Sequence, residues 1–235
     1  SMGIYVFDYE YLLASLRRSK DDVDFGMHIL PHGIANDNVF AYPFYGYWRD
    51  VGTVQAYWQA NMDIINPGSE IWPQKWQVRT NVEAEGRPAD RAPARFGQKA
   101  TMRYSLISAG SDIRGTVINS VLAPGVVVEE GAVVKDSILF TDCVVKRGAE
   151  VDLSILDKRV TVGEASVVGH GEGHETANSL EPTHLYSGIS LIGKGARIPQ
   201  GMKIGRNCVV DSKVDESFFQ ADTLADGESV LLHGE

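Results

Sequence analysis

The sequence predicts two kinds of structure in series: an α/β segment in its first third, followed by an all-β, left-handed parallel β-helix from about Leu106 to Val214. Three observations carry this. Apolar residues recur at every sixth place, as Leu122, Val128, Val134 and Phe140, and a second register follows four places after each, as Val126, Ala132, Ile138 and Val144. The same rule returns at Ile192, Ile198, Ile204 and Val210, with Ala196, Met202, Cys208 and Val214 in the second register. The first third instead mixes helical spacing with aromatic and β-branched runs. A period of six matches neither an amphipathic helix nor an alternating strand, but fits a three-sided coil with one short strand per face, both registers pointing inward.

Taken in order, Ile4-Tyr5-Val6-Phe7 reads as a buried strand with no preceding element to pair with, which predicts that the chain is a fragment. Tyr11, Leu12, Leu13, Ala14 and Leu16 have the spacing of a short helix ending near Lys20-Asp21. Asp24 to Pro31 reads as a turn, a helical turn and a stop at the proline. Val39 to Tyr47, rich in aromatics, reads as a strand. Thr53 is placed to cap a helix whose Val54, Tyr57, Trp58, Asn61, Met62 and Ile65 share one stripe, closed by Asn66-Pro67-Gly68. From Ser69 to Ala100, three prolines and scattered charges predict a connector anchored by Trp72 and Trp76. The resulting division is residues 1–66, a connector over 67–105, and the β-helix over 106–235.

Within the coil, Gly125, Gly131, Gly193, Gly195, Gly201 and Gly205 fall at predicted corners, where the backbone must turn sharply. The phase of the repeat slips between Lys146 and Val160, where Val145, Val151 and Ile155 are out of step, so an irregular coil is expected there. Between Gly169 and Gly188 the pattern vanishes into a polar insertion holding His170, His174 and His184, expected as a solvated loop.

Composition narrows the function. The 22 basic against 31 acidic residues leave a net charge of −9 with no basic block, which disfavours nucleic acid as a partner. Cys143 and Cys208 each sit in an apolar repeat, suggesting neither a disulfide framework nor a zinc site; a reducing cytoplasm is the expected location. No apolar run of membrane-spanning length and no signal-peptide pattern is read, so no membrane partner is expected.

The stretch YWRDVGT (47–53), followed by VQAYWQANMDI, resembles the end of the catalytic domain of the bacterial ADP-glucose pyrophosphorylases (glucose-1-phosphate adenylyltransferases). The opening SMGIYVF, the Asp24-Phe25-Gly26 triplet, VVGHGEG (167–173) and LYSGISLIGKGARIPQGMKIGRNCVV (185–210) follow in the order of that family. The resemblance covers nearly the whole chain but corresponds to the C-terminal half of the family, or somewhat more. Its glycine-rich nucleotide-binding loop and its glutamate-lysine pair for the sugar phosphate are absent from this sequence.

This resemblance implies an α/β remnant of a nucleotidyltransferase domain over 1–66, and a β-helix that serves regulation and oligomer formation. The implied reaction joins ATP to glucose 1-phosphate, giving ADP-glucose and pyrophosphate for glycogen or α-glucan synthesis, with Mg2+ as cofactor. Asp50 matches the family's metal-binding, catalytic aspartate. Ser1 matches the serine that contacts glucose 1-phosphate, Gly3 lies beside it near the substrate, and Trp48 is a candidate wall of the sugar pocket. Arg49 and Asp24 are further candidates, with a surface position and a turn as their plainer readings. Arg147, Arg159, Arg197 and Arg206 are candidates for an anionic allosteric effector. A homo-oligomer, a tetramer in the family, is expected, and the fragment alone is expected to be inert. Three rivals stand beside this reading: a non-catalytic regulatory subunit of the same family, another sugar-nucleotide pyrophosphorylase, and a hexapeptide-repeat acyltransferase using a loop histidine.

Overall fold

The computed structural model describes residues 1–18, 21–71, 91–172, 174 and 176–232. The chain forms two compact units, Ser1–Asp50 and Val51–Glu235.

In the first unit, helix α1 (Tyr9–Arg18) starts after Asp8, whose carboxylate accepts a hydrogen bond from the Tyr11 amide at 3.0 Å. Arg17 and Arg18 in its last turn complement the helix dipole. Asp24 caps a π-helical turn, Phe25–Ile29, by accepting from the Met27 amide at 2.7 Å. Helix α2 (Leu30–Asn36) follows directly. The expected stop at Pro31 does not occur, because the proline falls in the first turn of α2, where its missing N–H has no intrahelical partner to lose. Tyr5, Phe7, Phe25 and Tyr11 stack or tilt against one another with ring centroids 5.7–6.3 Å apart. The segments 4–7 and 39–47, both read as strands, belong to no sheet among the described residues. A strand is stable only against a neighbour's backbone, and the described part of this unit supplies none.

The second unit begins with helix α3 (Val54–Ile65), capped as its sequence predicts: the Thr53 hydroxyl accepts from the Ala56 amide at 3.1 Å, and Asn66 closes the far end. Beyond it lies the β-helix. Its described strands run from Arg95–Phe96 to Ser229–Val230 in three parallel sheets of six, seven and seven strands. Trp72 and Trp76 lie outside the described residues.

The repeat is real, but its arithmetic differs from a steady six. Interior residues step from Leu122 to Val128, Val134, Leu139, Val145, Val151, Leu156, Val162 and Val168, all at most 1% exposed. One corner in each of these coils takes five residues instead of six, so Val127 pairs with Val144 and Val144 with Thr161, a coil of seventeen. Consequently Phe140, Ile138 and Val144, expected to point inward, do not. Ile138 is buried on the outside, beneath α3, while Phe140 packs against that same outer cluster. Val145 and Val151, expected out of step, are inward and in register. The slip is therefore a regular feature of the coil, hidden from a strict sixfold count. It also hides the outermost strands, where Phe96, Met102 and Ile107 continue the inward columns above Ile113, Val117 and Leu122.

The short corner has its own chemistry. Tyr104, Asn119, Asp136 and Leu153 stack there with φ of 44–47°, each followed by a serine. The hydroxyls of Ser105, Ser120, Ser137 and Ser154 donate to the carbonyl two residues back, at 2.6–2.9 Å. Each of the first three also accepts the amide of the serine one coil further on, at 3.1 Å. Ser190 ends the column, donating to the Gly205 carbonyl and accepting from the Cys208 amide. Tight turning buries backbone groups that the sheets do not reach, and this ladder satisfies them.

Helix α3 seals the outer surface of one sheet. Met62 and Ile65 bury against Ile138, with Tyr57, Trp58, Leu106, Val121, Phe140 and Ile155 packed around them. The Trp58 indole N–H donates to the Asp136 carbonyl at 2.7 Å, tying the helix to the serine corner. Burial of side chains such as Met62 and Ile65 contributes roughly 1.5–3 kcal/mol each.

Replacing Ser137 by alanine removes the acceptor for the buried Ser154 amide, and is expected to cost about 1–3 kcal/mol in urea unfolding. An unchanged midpoint would show that water substitutes for the hydroxyl.

Candidate functional site

The substrate and metal candidates read from the sequence, Ser1, Gly3, Trp48 and Asp50, lie in the first unit. Ser1 and Gly3 are brought together: the Ser1 hydroxyl shares a hydrogen bond with the Tyr5 hydroxyl at 2.6 Å and accepts the Gly3 amide at 3.3 Å. Gly3 has φ of +71° with open space where a Cβ would stand, so its need for glycine is conformational. Trp48 is 47% exposed. Asp50 is exposed at the last position of the unit, three residues before the Thr53 cap. The helix cap is thus Thr53, and Asp50 does not hold that role. Asp24, by contrast, is accounted for by its cap on the π-helical turn.

An exposed carboxylate is suited to hold a hard cation that a phosphate also touches. Asp50 fits the habit of Mg2+, which takes one or two carboxylates and fills its remaining positions from substrate oxygens and water. Among the described residues no three histidines, cysteines or acidic side chains cluster as a ready metal cage.

The polar insertion between Gly169 and Gly188 is not a free loop throughout. Asn178, fully buried, donates to the Asn207 carbonyl and the Ser229 hydroxyl, while its own oxygen accepts the amides of Leu180 and Glu181. Asn207 answers by accepting the Gly188 amide at 2.6 Å and donating to the Thr176 carbonyl. Leu185 is buried at 1% exposure. Of the three histidines, all exposed, His184 pairs with Glu181 at 3.0 Å.

The arginines proposed for an effector differ sharply. Arg206 has a 7% exposed side chain that pairs with Asp152 at 2.6 Å and also donates to the Asp152 and Gly171 carbonyls. It is thereby committed to holding the insertion against the coil. Arg147, Arg159 and Arg197 are exposed. Near Arg147, the Glu130 carboxyl is held below its ordinary range, chiefly by the hydrogen bond from Lys99 and then by its charge, with smaller help from Arg147 and Arg114. Arg91 was missed in the sequence. It forms a two-point ion pair with Asp142 at 2.6 and 3.2 Å, crossing the corner at Gly110 and Gly125, where a Cβ would strike its side chain. The serine column was missed as well, although its signal was present: a serine after each left-handed corner residue, spaced by one coil.

The two cysteines are inert fillers of the interior. Each thiol lies 3.0 Å from a backbone carbonyl, that of Asp157 for Cys143 and that of Ala225 for Cys208. Burial is the main reason their pKa values rise, to about 12 for Cys143 and about 11 for Cys208.

Comparison with known proteins accounts for both units. A family model described as nucleotidyl transferase matches residues 1–66, and one described as GlmU-like, C-terminal hexapeptide, matches residues 87–192. Three relatives, each named glucose-1-phosphate adenylyltransferase, match along essentially the whole chain. The protein of Acetivibrio thermocellus is 37% identical over 100% of this chain and 55% of its own length. That of Thermomicrobium roseum is 42% identical over 98% and 54%, and that of Thermotoga maritima 35% identical over 100% and 56%. The chain thus spans a little over half the length of the curated relatives it matches. Among solved structures, the acetyltransferase domain of PglB from Neisseria gonorrhoeae aligns with a TM-score of 0.36 at 21% identity, covering 60% of this chain and 50% of that one.

Both thiols are expected to resist a disulfide reagent at pH 8 in the folded protein and to react fully in urea. Burial keeps both thiols protonated at that pH. Because the fold keeps these protons above pH 9, where the unfolded chain releases them, stability is whole below about pH 9 and falls as pH rises toward 12. Rapid labelling of the folded protein would refute this.

Proposed function

Over its whole length the chain corresponds to the C-terminal part of the glucose-1-phosphate adenylyltransferases, and on that premise we propose that it contributes part of the active site of such an enzyme. The reaction joins ATP and glucose 1-phosphate into ADP-glucose and pyrophosphate. Residues 1–66 supply the last part of the catalytic domain, and the β-helix, whose described strands begin at Arg95 and not at the expected 106, carries regulation and assembly, with a tetramer as the working state. The observation that carries the reading is the exposed Asp50 in its YWRDVGT setting, within the nucleotidyl transferase match over residues 1–66.

In this reading the sugar-phosphate oxygen attacks the α-phosphorus of ATP while pyrophosphate leaves. Such chemistry relies on in-line positioning and on neutralising phosphate charge rather than on a protein nucleophile. A bound Mg2+ would supply that neutralisation, with Asp50 as one of its ligands. Ser1 turns its hydroxyl from Tyr5 toward a sugar or phosphate oxygen, the backbone of Gly3 lets that segment approach closely, and the Trp48 ring lies against the sugar. An anionic effector is received by exposed arginines, Arg147, Arg159 or Arg197, and not by Arg206. Two free, buried cysteines suit a reducing cytoplasm. By itself the 235-residue chain is inert, because one carboxylate does not make a phosphoryl-transfer site.

The test is an assay of pyrophosphate release from glucose 1-phosphate and each nucleoside triphosphate, using the chain joined to the preceding part of the enzyme. ATP is the expected substrate, and Asp50→Asn is expected to lower kcat by roughly 100-fold or more at saturating Mg2+. Preference for another nucleotide would overturn the substrate, an undiminished rate would remove Asp50 from the site, and inactivity with every nucleotide would favour a regulatory subunit.

A further inference from the structure

We propose that residues 176–188 act as a strap, fastened through Asn178, which holds the last described coil onto the β-helix and sets how readily that coil opens.

The strap springs from a corner where the stacking rule is broken. In the coils before it, the amide of each left-handed corner residue donates to a carbonyl one coil back: Asn119 to Arg103, Asp136 to Ile118 and Leu153 to Lys135, at 2.9–3.1 Å. The next rung would serve the Asp152 carbonyl, but the chain leaves the coil at Gly169 and regains it at Gly188. The Arg206 guanidinium takes the place of the missing amide. From the second coil beyond, it donates to the Asp152 carbonyl at 3.2 Å and to the Asp152 carboxylate at 2.6 Å. Past this gap the rule returns, with the Gly227 amide donating to the Arg206 carbonyl at 2.8 Å.

The strap then crosses the two corners that follow. Asn207 grips both its ends, accepting the Gly188 amide at 2.6 Å and donating to the Thr176 carbonyl at 2.8 Å. Asn178, fully buried, donates to the Asn207 carbonyl at 2.9 Å and, one coil further on, to the Ser229 hydroxyl at 3.0 Å. The Ser179 amide adds a bond to the Gly227 carbonyl at 2.9 Å. Residues some fifty places earlier in the sequence thus reach the coil that carries the strands Thr223–Leu224 and Ser229–Val230.

That coil is the weakly held one. Among the described residues the six-stranded sheet ends at Arg197–Ile198, and the chain passes that face next as a 3-10 turn, Glu216–Phe218. The coil is therefore paired on two faces, whereas the coils in the middle of the stack are paired on three. In a stack where each coil is held by its neighbours, one that lacks a pairing opens first, and bonds reaching it from outside the stack make opening rarer. Opening would bare the edges of Lys203–Ile204 and Val209–Val210, main chain of the kind that templates pairing with another molecule. The strap keeps those edges covered.

Residue-resolved amide exchange by NMR on the full 235-residue chain tests this. The amides of Lys203, Gly205, Val209 and Asp211 donate to the carbonyls of Asp222, Leu224, Glu228 and Val230, so they exchange when the last described coil lifts. Asn178→Ala is expected to speed exchange at these four about 10-fold while leaving the Val127 and Val144 amides, in the middle of the stack, unchanged. Ser229→Ala cuts only the bond from Asn178 to that coil; an acceleration of about 3-fold is expected, and this variant carries the test if Asn178→Ala does not fold. Unchanged exchange at the four amides would overturn the proposal. Equal acceleration at Val127 and Val144 would do so too, making Asn178 a contributor to global stability alone. A like effect from Leu180→Asp, at an exposed position of the same segment, would assign the change to the insertion at large and not to the bonds of Asn178.

Discussion

The tight corner of the coil, and the need to satisfy the backbone it buries, governs the rest of this structure. A coil that turns three times in about seventeen residues has short strands, and much of its backbone lies in turns that no sheet serves. Each carbonyl or amide left there without a partner would cost on the order of 1–3 kcal/mol. The serine column meets this need at one corner, linking coil to coil through the same atoms that close each turn. Shortening the corner to five residues has a second effect: it sets which aliphatic side chains face inward, and so displaces Ile138 and Phe140 to the outer surface.

That displacement creates the seat for α3. With Ile138 facing outward beside Leu106, Val121 and Ile155, one sheet presents an apolar outer face, and Met62 and Ile65 cover it. The helix that follows the YWRDVGT segment is therefore packed on the coil, tied to the serine corner by the Trp58 indole. Nearer the C-terminal end, Asn178, Asn207 and Arg206 do for the polar insertion what the serines do for the turn: they carry hydrogen bonds across a gap that strands do not bridge.

The candidate site was legible only in part. Asp50, Ser1, Gly3 and Trp48 were singled out by their motif, and the structure leaves Asp50 exposed and assigns the neighbouring helix cap to Thr53. Arg206 was misjudged as an effector candidate because a solvent-facing arginine and one buried against Asp152 read identically in one dimension. The two strands expected at 4–7 and 39–47 have strand-like side chains, but pairing is a property of two segments, and neither is paired in a sheet among the described residues.

The sequence alone determined the coil, its inward columns over most of their length, the capping of α3 and the absence of a disulfide framework, because each depends on a local period or on residue type. Tertiary structure decided the five-residue corner, the outward turn of Ile138, the burial of Arg206 and the pinning of the 169–188 insertion. These are set by which groups meet across coils seventeen or more residues apart, where side-chain spacing carries no information about the partner that will satisfy a buried hydrogen bond.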